Sequence, residues 1–269
     1  MALDLSRTKT NLMPTMRNAE IAARRICAGF RAQPIVNART FDIQGVELLY
    51  RPRMNFNDHE AMLKADIRAV KAAAIMAKAQ AYASVHCNVE VQSMIQPDWL
   101  EAMIFCINEG MVIEIVERNS ILMDDLIMGQ AKNVVMLVRS FGGKIAMDDV
   151  RFTDQNAHII EKIQPDIIKV EREDYVPRLR KICDAPIVVE RIESRRLADS
   201  AIQAGADLLQ GYYCDLAVQN EVPSRLTPPG VMDWISRKAK TSTEPVVLSH
   251  EAGDFCAQLG VNGGLLPSI

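Results

Sequence analysis

The 269-residue chain has six cysteines but no CxxC pair and no other paired spacing of the kind that holds zinc. That argues against zinc-finger and thioredoxin-like motifs. Cys87, Cys106 and Cys183 sit inside apolar stretches, which predicts reduced core thiols. His86 and His158 lie on no metal-ligand spacing and read as structural residues. No apolar run approaches the ~18 residues that a membrane helix needs. The alanine-rich stretch 70–83 is interrupted by Lys71 and Lys78 and predicts an ordinary helix, so no membrane segment is expected. The opening MALDLSRTKT lacks the apolar core of a secretion signal, and with reduced thiols this predicts a cytoplasmic chain. A net charge of −3 gives no bulk attraction for DNA or RNA. There is no internal repeat and no low-complexity tract.

What the chain does have is a succession of short apolar runs separated by helical patterns. Strands are expected at 33–36, 46–51, 83–89, 112–117, 145–147, 167–170, 187–189 and 208–213. Helices are expected at 18–27, 58–81, 97–109, 120–140 and 193–203, with a turn of helix at 231–238. Short apolar strands joined by helices predict a parallel sheet covered on its faces. Eight such units within about 200 residues favour closure into a TIM-like (β/α)8 barrel over an open sheet. The expected organisation is an N-terminal extension at 1–28, a barrel at 29–230 and a C-terminal tail at 231–269.

The strands carry charges where apolar residues would be cheaper. Glu47, Glu114, Asp148, Asp149 and Glu190 fall in or at the ends of strands, Asn88 adds a neutral oxygen, and Lys169 interrupts an apolar run. Buried charges need partners or a metal. A single Asp–Lys pair would be a salt-bridged strand end. Five acids on neighbouring strands would repel without cations, so the sharper reading is a metal site, one that handles a phosphate.

In their order, these residues resemble the EAL domain of cyclic di-GMP phosphodiesterases. The resemblance covers 33–218. It includes QPIV at 33–36, ELLYR at 47–51 where the family has EALLR, Asn88, IEIVE at 113–117, IAMDD ending in Asp148 and Asp149, DIIKVE at 166–171, VERIES at 189–194, and QGY at 210–212. The family's serine two positions after Asn88 is Glu90 here. The resemblance implies an EAL-type barrel that binds cyclic di-GMP and cuts it to linear pGpG with two Mg²⁺ or Mn²⁺ ions. The implied metal ligands are Glu47, Asn88, Glu114 and Asp148, with Asp149 and Glu190 for a second ion. Lys169 would stabilise the phosphate's developing charge, and Glu190 would assist in deprotonating water. Gln33 and Arg51 would contact the nucleotide, with Gln210 supporting the site. Glu117 and Glu193 would orient neighbours.

The departures bear on activity. The family's DDFGTGYSSL loop is DDVRFTDQNA at 148–157, with Arg151 and Thr153 replacing its glycines. In active members that loop organises the second metal and the dimer interface, which keeps a homodimer in view. Glu171 is one methylene longer than the family's aspartate, Arg191 replaces a glycine, and the 171–190 segment is short. These features resemble the divergent EAL module of EAL-HDOD proteins, although no HDOD region is visible. Arg191, next to Glu190, is expected to pair with Glu190 or Asp149 and compete with the second metal. The expectation is therefore weak cyclic di-GMP hydrolysis. The alternative is a catalytically silent module that binds cyclic di-GMP or a regulatory protein partner. An unrelated metal-dependent barrel, such as an enolising enzyme, is disfavoured by QGY and the aspartate pair.

Overall fold

A computed structural model describes residues 22–23, 25–50, 52, 55, 57–79, 82–116 and 121–218. The helix expected at 231–238 lies outside them, as do Arg51, Glu117 and residues 18–21 and 24 of the first expected helix. The chain divides into Phe30–Leu226, which holds the barrel, and a second unit of Met1–Gly29 with Thr227–Ile269.

Eight strands close the barrel in sequence order: β1 (Phe30–Asn37), β2 (Ile43–Tyr50), β3 (Val85–Glu90), β4 (Met111–Val116), β5 (Lys144–Met147), β6 (Ile167–Val170), β7 (Ile187–Val189) and β8 (Leu208–Gln210). Between them lie α1 (His59–Lys78), α2 (Val91–Met94), α3 (Pro97–Cys106), α4 (Asp125–Ser140), α5 (Asp154–Ile163), α6 (Val176–Leu179) and α7 (Arg195–Ala204), and α8 (Tyr212–Ala217) follows β8. Side-chain caps start four of the longer helices, Asp58 for α1, Asp124 for α4, Thr153 for α5 and Ser194 for α7, while α3 starts on Pro97 without one. Among the described residues no helix is long and apolar enough to cross a membrane.

The expected all-parallel sheet needs one correction. β1 is antiparallel to both of its neighbours, β2 and β8, while β2 to β8 run parallel. The reason is loop length. Residues 38–42 are too few for the dozen or more that a parallel crossover requires, so β1 and β2 form a hairpin. The last strand is also shorter than expected. It stops at Gln210 because Gly211, at φ +148, turns the chain into α8.

Strand pleat sets the depth of the site. Ile35, Val112, Ala146, Ile167 and Val188 pack into one cluster with Leu208 against it. They come from six strands around the ring, so they meet only inside the barrel. Two residues further toward the C-terminal mouth, the same faces carry Gln33, Glu114, Asp148, Lys169, Glu190 and Gln210. An apolar plug thus lies directly beneath a polar layer.

Cys87 and Cys106 lie in the core as expected, whereas Cys183 does not; these three and Cys214 are free. Burial pushes the Cys106 thiol to about 11, Cys214 to about 12 and Cys87 well above its ordinary value. Cys183 is half-buried. Peptide mapping after a brief iodoacetamide pulse is expected to show Cys183 alkylated well ahead of Cys87, Cys106 and Cys214. Equal labelling of all four would contradict this burial pattern.

Candidate functional site

The polar layer converges on one atom. The Lys169 ammonium lies 2.9 Å from Glu47 Oε2, 2.8 Å from Glu114 Oε2, 3.2 Å from Asp148 Oδ1 and 3.0 Å from Glu190 Oε1. The four carboxylates arrive from β2, β4, β5 and β7. Glu47 and Glu114 lie inside their strands, whereas Asp148 and Glu190 immediately follow theirs; the tilt and stagger of a barrel bring them to one level. Lys169 is fully buried.

Glu47 is the best-served acid. Its Oε1 accepts from Asn88 Nδ2 at 2.6 Å, and its Oε2 accepts from Gln210 Nε2 at 2.6 Å as well as from Lys169. Burial works against its charge, but Lys169 and these amides prevail and hold the carboxyl at about 2. The other acids go the opposite way. Burial raises Glu114 and Glu190 well above their ordinary value and raises Asp148, despite the pull of Lys169. Lys169 itself is raised well above its usual value. Burial opposes its charge, and the surrounding carboxylates outweigh that. One ammonium and four carboxylates leave a negative excess that can accommodate further cations.

Two observations suit a divalent metal. Asp148, Asp149 and Glu190 each offer a carboxylate oxygen within 4.8 Å of the others. Asn88 Oδ1 is buried without a hydrogen-bond partner, and so is Asp148 Oδ1, whose approach to Lys169 is an ion pair without hydrogen-bond geometry. Oxygen donors of this kind are what Mg²⁺ and Mn²⁺ take. Above them opens a cleft of about 850 Å³, lined among others by Gln33, Glu47, Asn88, Asp149, Arg191 and Gln210.

The EAL domain family matches residues 18–216 of the sequence. The chain belongs to the EAL family. Its barrel is similar to that of BlrP1 from Klebsiella pneumoniae, a calcium and cyclic di-GMP complex, at 19% identity over 68% of this chain and 54% of that one, with a TM-score of 0.55. This EAL chain thus spans about half the length of the Klebsiella protein. An EAL domain protein of Listeria monocytogenes is 18% identical over 81% of this chain and 98% of that one, at a TM-score of 0.57. The FimX EAL domain of Pseudomonas aeruginosa, bound to cyclic di-GMP, is 15% identical over 74% and 94%, also at 0.57. No curated protein matches the sequence.

Around this EAL site the remaining expected residues fall as follows. Gln33 bridges Gln210 and Asp215 at 3.4 Å each. Arg51 and Glu117 lie outside the described residues. Glu193 and Arg191 line the cleft, but Arg191 does not pair with Glu190 or Asp149. Its Nη2 lies 2.5 Å from Glu171 Oε1, while Glu190 is committed to Lys169. The cause is local: Arg191 takes φ +52, the region that glycine favours, and this turns it away from its neighbour's partner. Neither Arg151 nor Thr153, which stand where the family has glycine, takes a positive φ. Thr153 has φ −128 and caps α5, and the positive φ falls on Asp149 at +52. Val150 is buried and donates its N–H to the Lys169 carbonyl at 3.0 Å, and Arg178 stacks on Phe152 at 3.9 Å from the ring centre.

His158 is exposed. His86, set aside with it on spacing, touches the site. Its Nδ1 lies 2.7 Å from Glu114 Oε1 and its Nε2 3.1 Å from Ser84 Oγ. Burial, helped by the charge of Lys169, lowers it to about 3, so it is neutral and orients Glu114. The signal was its place two residues before Asn88 on one strand, which puts both side chains on the same face.

Proposed function

We propose that the chain is a slow, metal-dependent phosphodiesterase that cuts cyclic di-GMP to linear pGpG. The observation that carries this reading is the convergence of four carboxylates from four strands at the mouth of an EAL barrel. Related barrels that carry cyclic di-GMP support it. Glu47, Asn88, Glu114 and Asp148 would hold one Mg²⁺ or Mn²⁺ ion, and Asp148, Asp149 and Glu190 a second. Bound there, the metals would clamp the scissile phosphate and make water acidic enough to attack at neutral pH.

The chain's own residues do the rest. Lys169 faces the negative charge that develops on the phosphate. Glu190, its basicity raised by burial, accepts the proton of the attacking water. Gln33 and Arg51 orient the nucleotide, and Gln210 fixes Glu47. Turnover is slow because Lys169 already occupies carboxylate oxygens that the ions require, and each ~1.4 kcal/mol of lost stabilisation costs tenfold in rate. That same ammonium favours the second reading, a silent EAL module that binds cyclic di-GMP or a regulatory protein, alone or as a homodimer. Either reading suits a cytoplasmic protein of the divergent EAL-HDOD-like branch, with residues 1–28 and 231–269 flanking the barrel.

The test is incubation of the purified chain with cyclic di-GMP and Mn²⁺, with pGpG followed by chromatography. Slow conversion that EDTA abolishes is expected. Tight binding without any pGpG would replace the enzyme with the silent module.

A further inference from the structure

The charged residues that line the cleft are mainly acids, among them Asp66, Glu90, Asp148, Asp149, Glu190 and Glu193. A nucleotide carrying two phosphodiester charges meets repulsion there. Among the described residues that line the cleft, the cations are Arg31 and Arg191. Lys169 lies beneath, fully buried, its ammonium shared by four carboxylates.

Arg191 has what an anion receptor needs. Its side chain is 71% exposed, and Glu171 Oε1 holds it through Nη2 alone at 2.5 Å. A guanidinium carries five N–H donors, so one carboxylate oxygen leaves most of the fork available. Glu171 pairs with the fork without consuming it. The backbone at φ +52 is uncommon for a long side chain, and an ion pair this exposed contributes too little to justify it. An outlier of this kind, beside a ligand cleft, points to a task for the side chain.

We infer that Arg191 is a phosphate-binding residue. Its guanidinium, held at the cleft by Glu171, receives one phosphodiester of the cyclic dinucleotide, and so allows the chain to hold the nucleotide without divalent metal. This rests on the cyclic di-GMP reading of the site and deepens it. Arginine suits the role because its planar fork matches phosphate oxygens in pairs.

The experiment is titration calorimetry of cyclic di-GMP into the full chain, in EDTA and in Mn²⁺, for the unmutated protein, Arg191→Lys and Arg191→Gly. The unmutated chain is expected to bind in EDTA. Arg191→Gly is expected to bind at least tenfold more weakly in EDTA, with Arg191→Lys in between and the gap smaller in Mn²⁺. Glycine suits this backbone conformation, so Arg191→Gly should melt no lower than the parent, which separates lost affinity from lost fold. Equal affinity of Arg191→Gly and the parent in EDTA would overturn the inference while leaving the ligand intact. Binding by the parent in Mn²⁺ alone would overturn it too. Absence of binding under both conditions would remove cyclic di-GMP itself as the ligand, and the role of Arg191 with it.

Discussion

Replacing Lys169 with methionine is expected to cost about 3–5 kcal/mol in metal-free buffer, a fall in melting temperature of roughly 10 °C. Methionine fills similar space, so little of the loss would come from a cavity. The loss comes from Glu47, Glu114, Asp148 and Glu190, which would face one another with no ammonium between them. Added Mn²⁺ should raise the melting temperature of the variant more than that of the parent. A cation that binds only the folded state stabilises it, and in the variant nothing competes for the oxygens. On the proposed activity, phosphodiester cleavage should nevertheless fall by about a hundredfold, because a metal cannot replace the charge that Lys169 would aim at the phosphate. Thermal melts with and without EDTA, beside the pGpG assay, separate the two effects. A variant that melts like the parent in EDTA would show that the ammonium does not hold the hub together.

Gly211→Ala is expected to destabilise the barrel by about 4 kcal/mol, combining overpacking with a backbone conformation that alanine resists. A Cβ at Gly211, where φ is +148, would lie 2.3 Å from the nitrogen of Ile192, 2.7 Å from its oxygen and 2.9 Å from its carbonyl carbon. Those are backbone atoms, and they cannot yield cheaply. Ile192 donates its N–H to the Gln210 carbonyl at 3.0 Å and accepts from the Tyr213 N–H at 2.8 Å. Displacing them drags Gln210 off Glu47. Urea unfolding measures the loss, and Gly129→Ala is the matched control. Gly129 lies in α4 with nothing within 4 Å of its Cβ position, so alanine there should add about 1 kcal/mol. If both variants unfold at the same urea concentration, the close approach at Gly211 is not a constraint.

The hub was largely legible in the sequence because charge in an apolar strand is conspicuous. Glu114 within MVIEIV and Lys169 within IIKV have few cheap alternatives to facing one another. What escaped was direction. The apolar run at 33–36 carries no mark of its antiparallel course; the short 38–42 connection did, and it was the better guide. His86 was judged by metal-ligand spacing when strand period was the relevant measure. Arg191 was assigned to the acid beside it in sequence, but its left-handed backbone delivers it to Glu171, twenty positions upstream. No pattern of residue types encodes such a turn where glycine is absent.

The two stacked layers inside the barrel also act on how the chain folds. A strand that slipped by one residue would turn its charge out of the ring. A slip of two would push Glu114 or Lys169 down among Val112, Ala146 and Val188, or lift an aliphatic group into the cluster of ions. Either mistake leaves an acid or an amine without its counterpart in a low-dielectric interior, and the penalty appears only when the ring closes. Misaligned closed barrels are therefore rejected by electrostatics as well as by poor packing. The residues that would handle phosphate in the finished protein serve, during assembly, as its proofreaders.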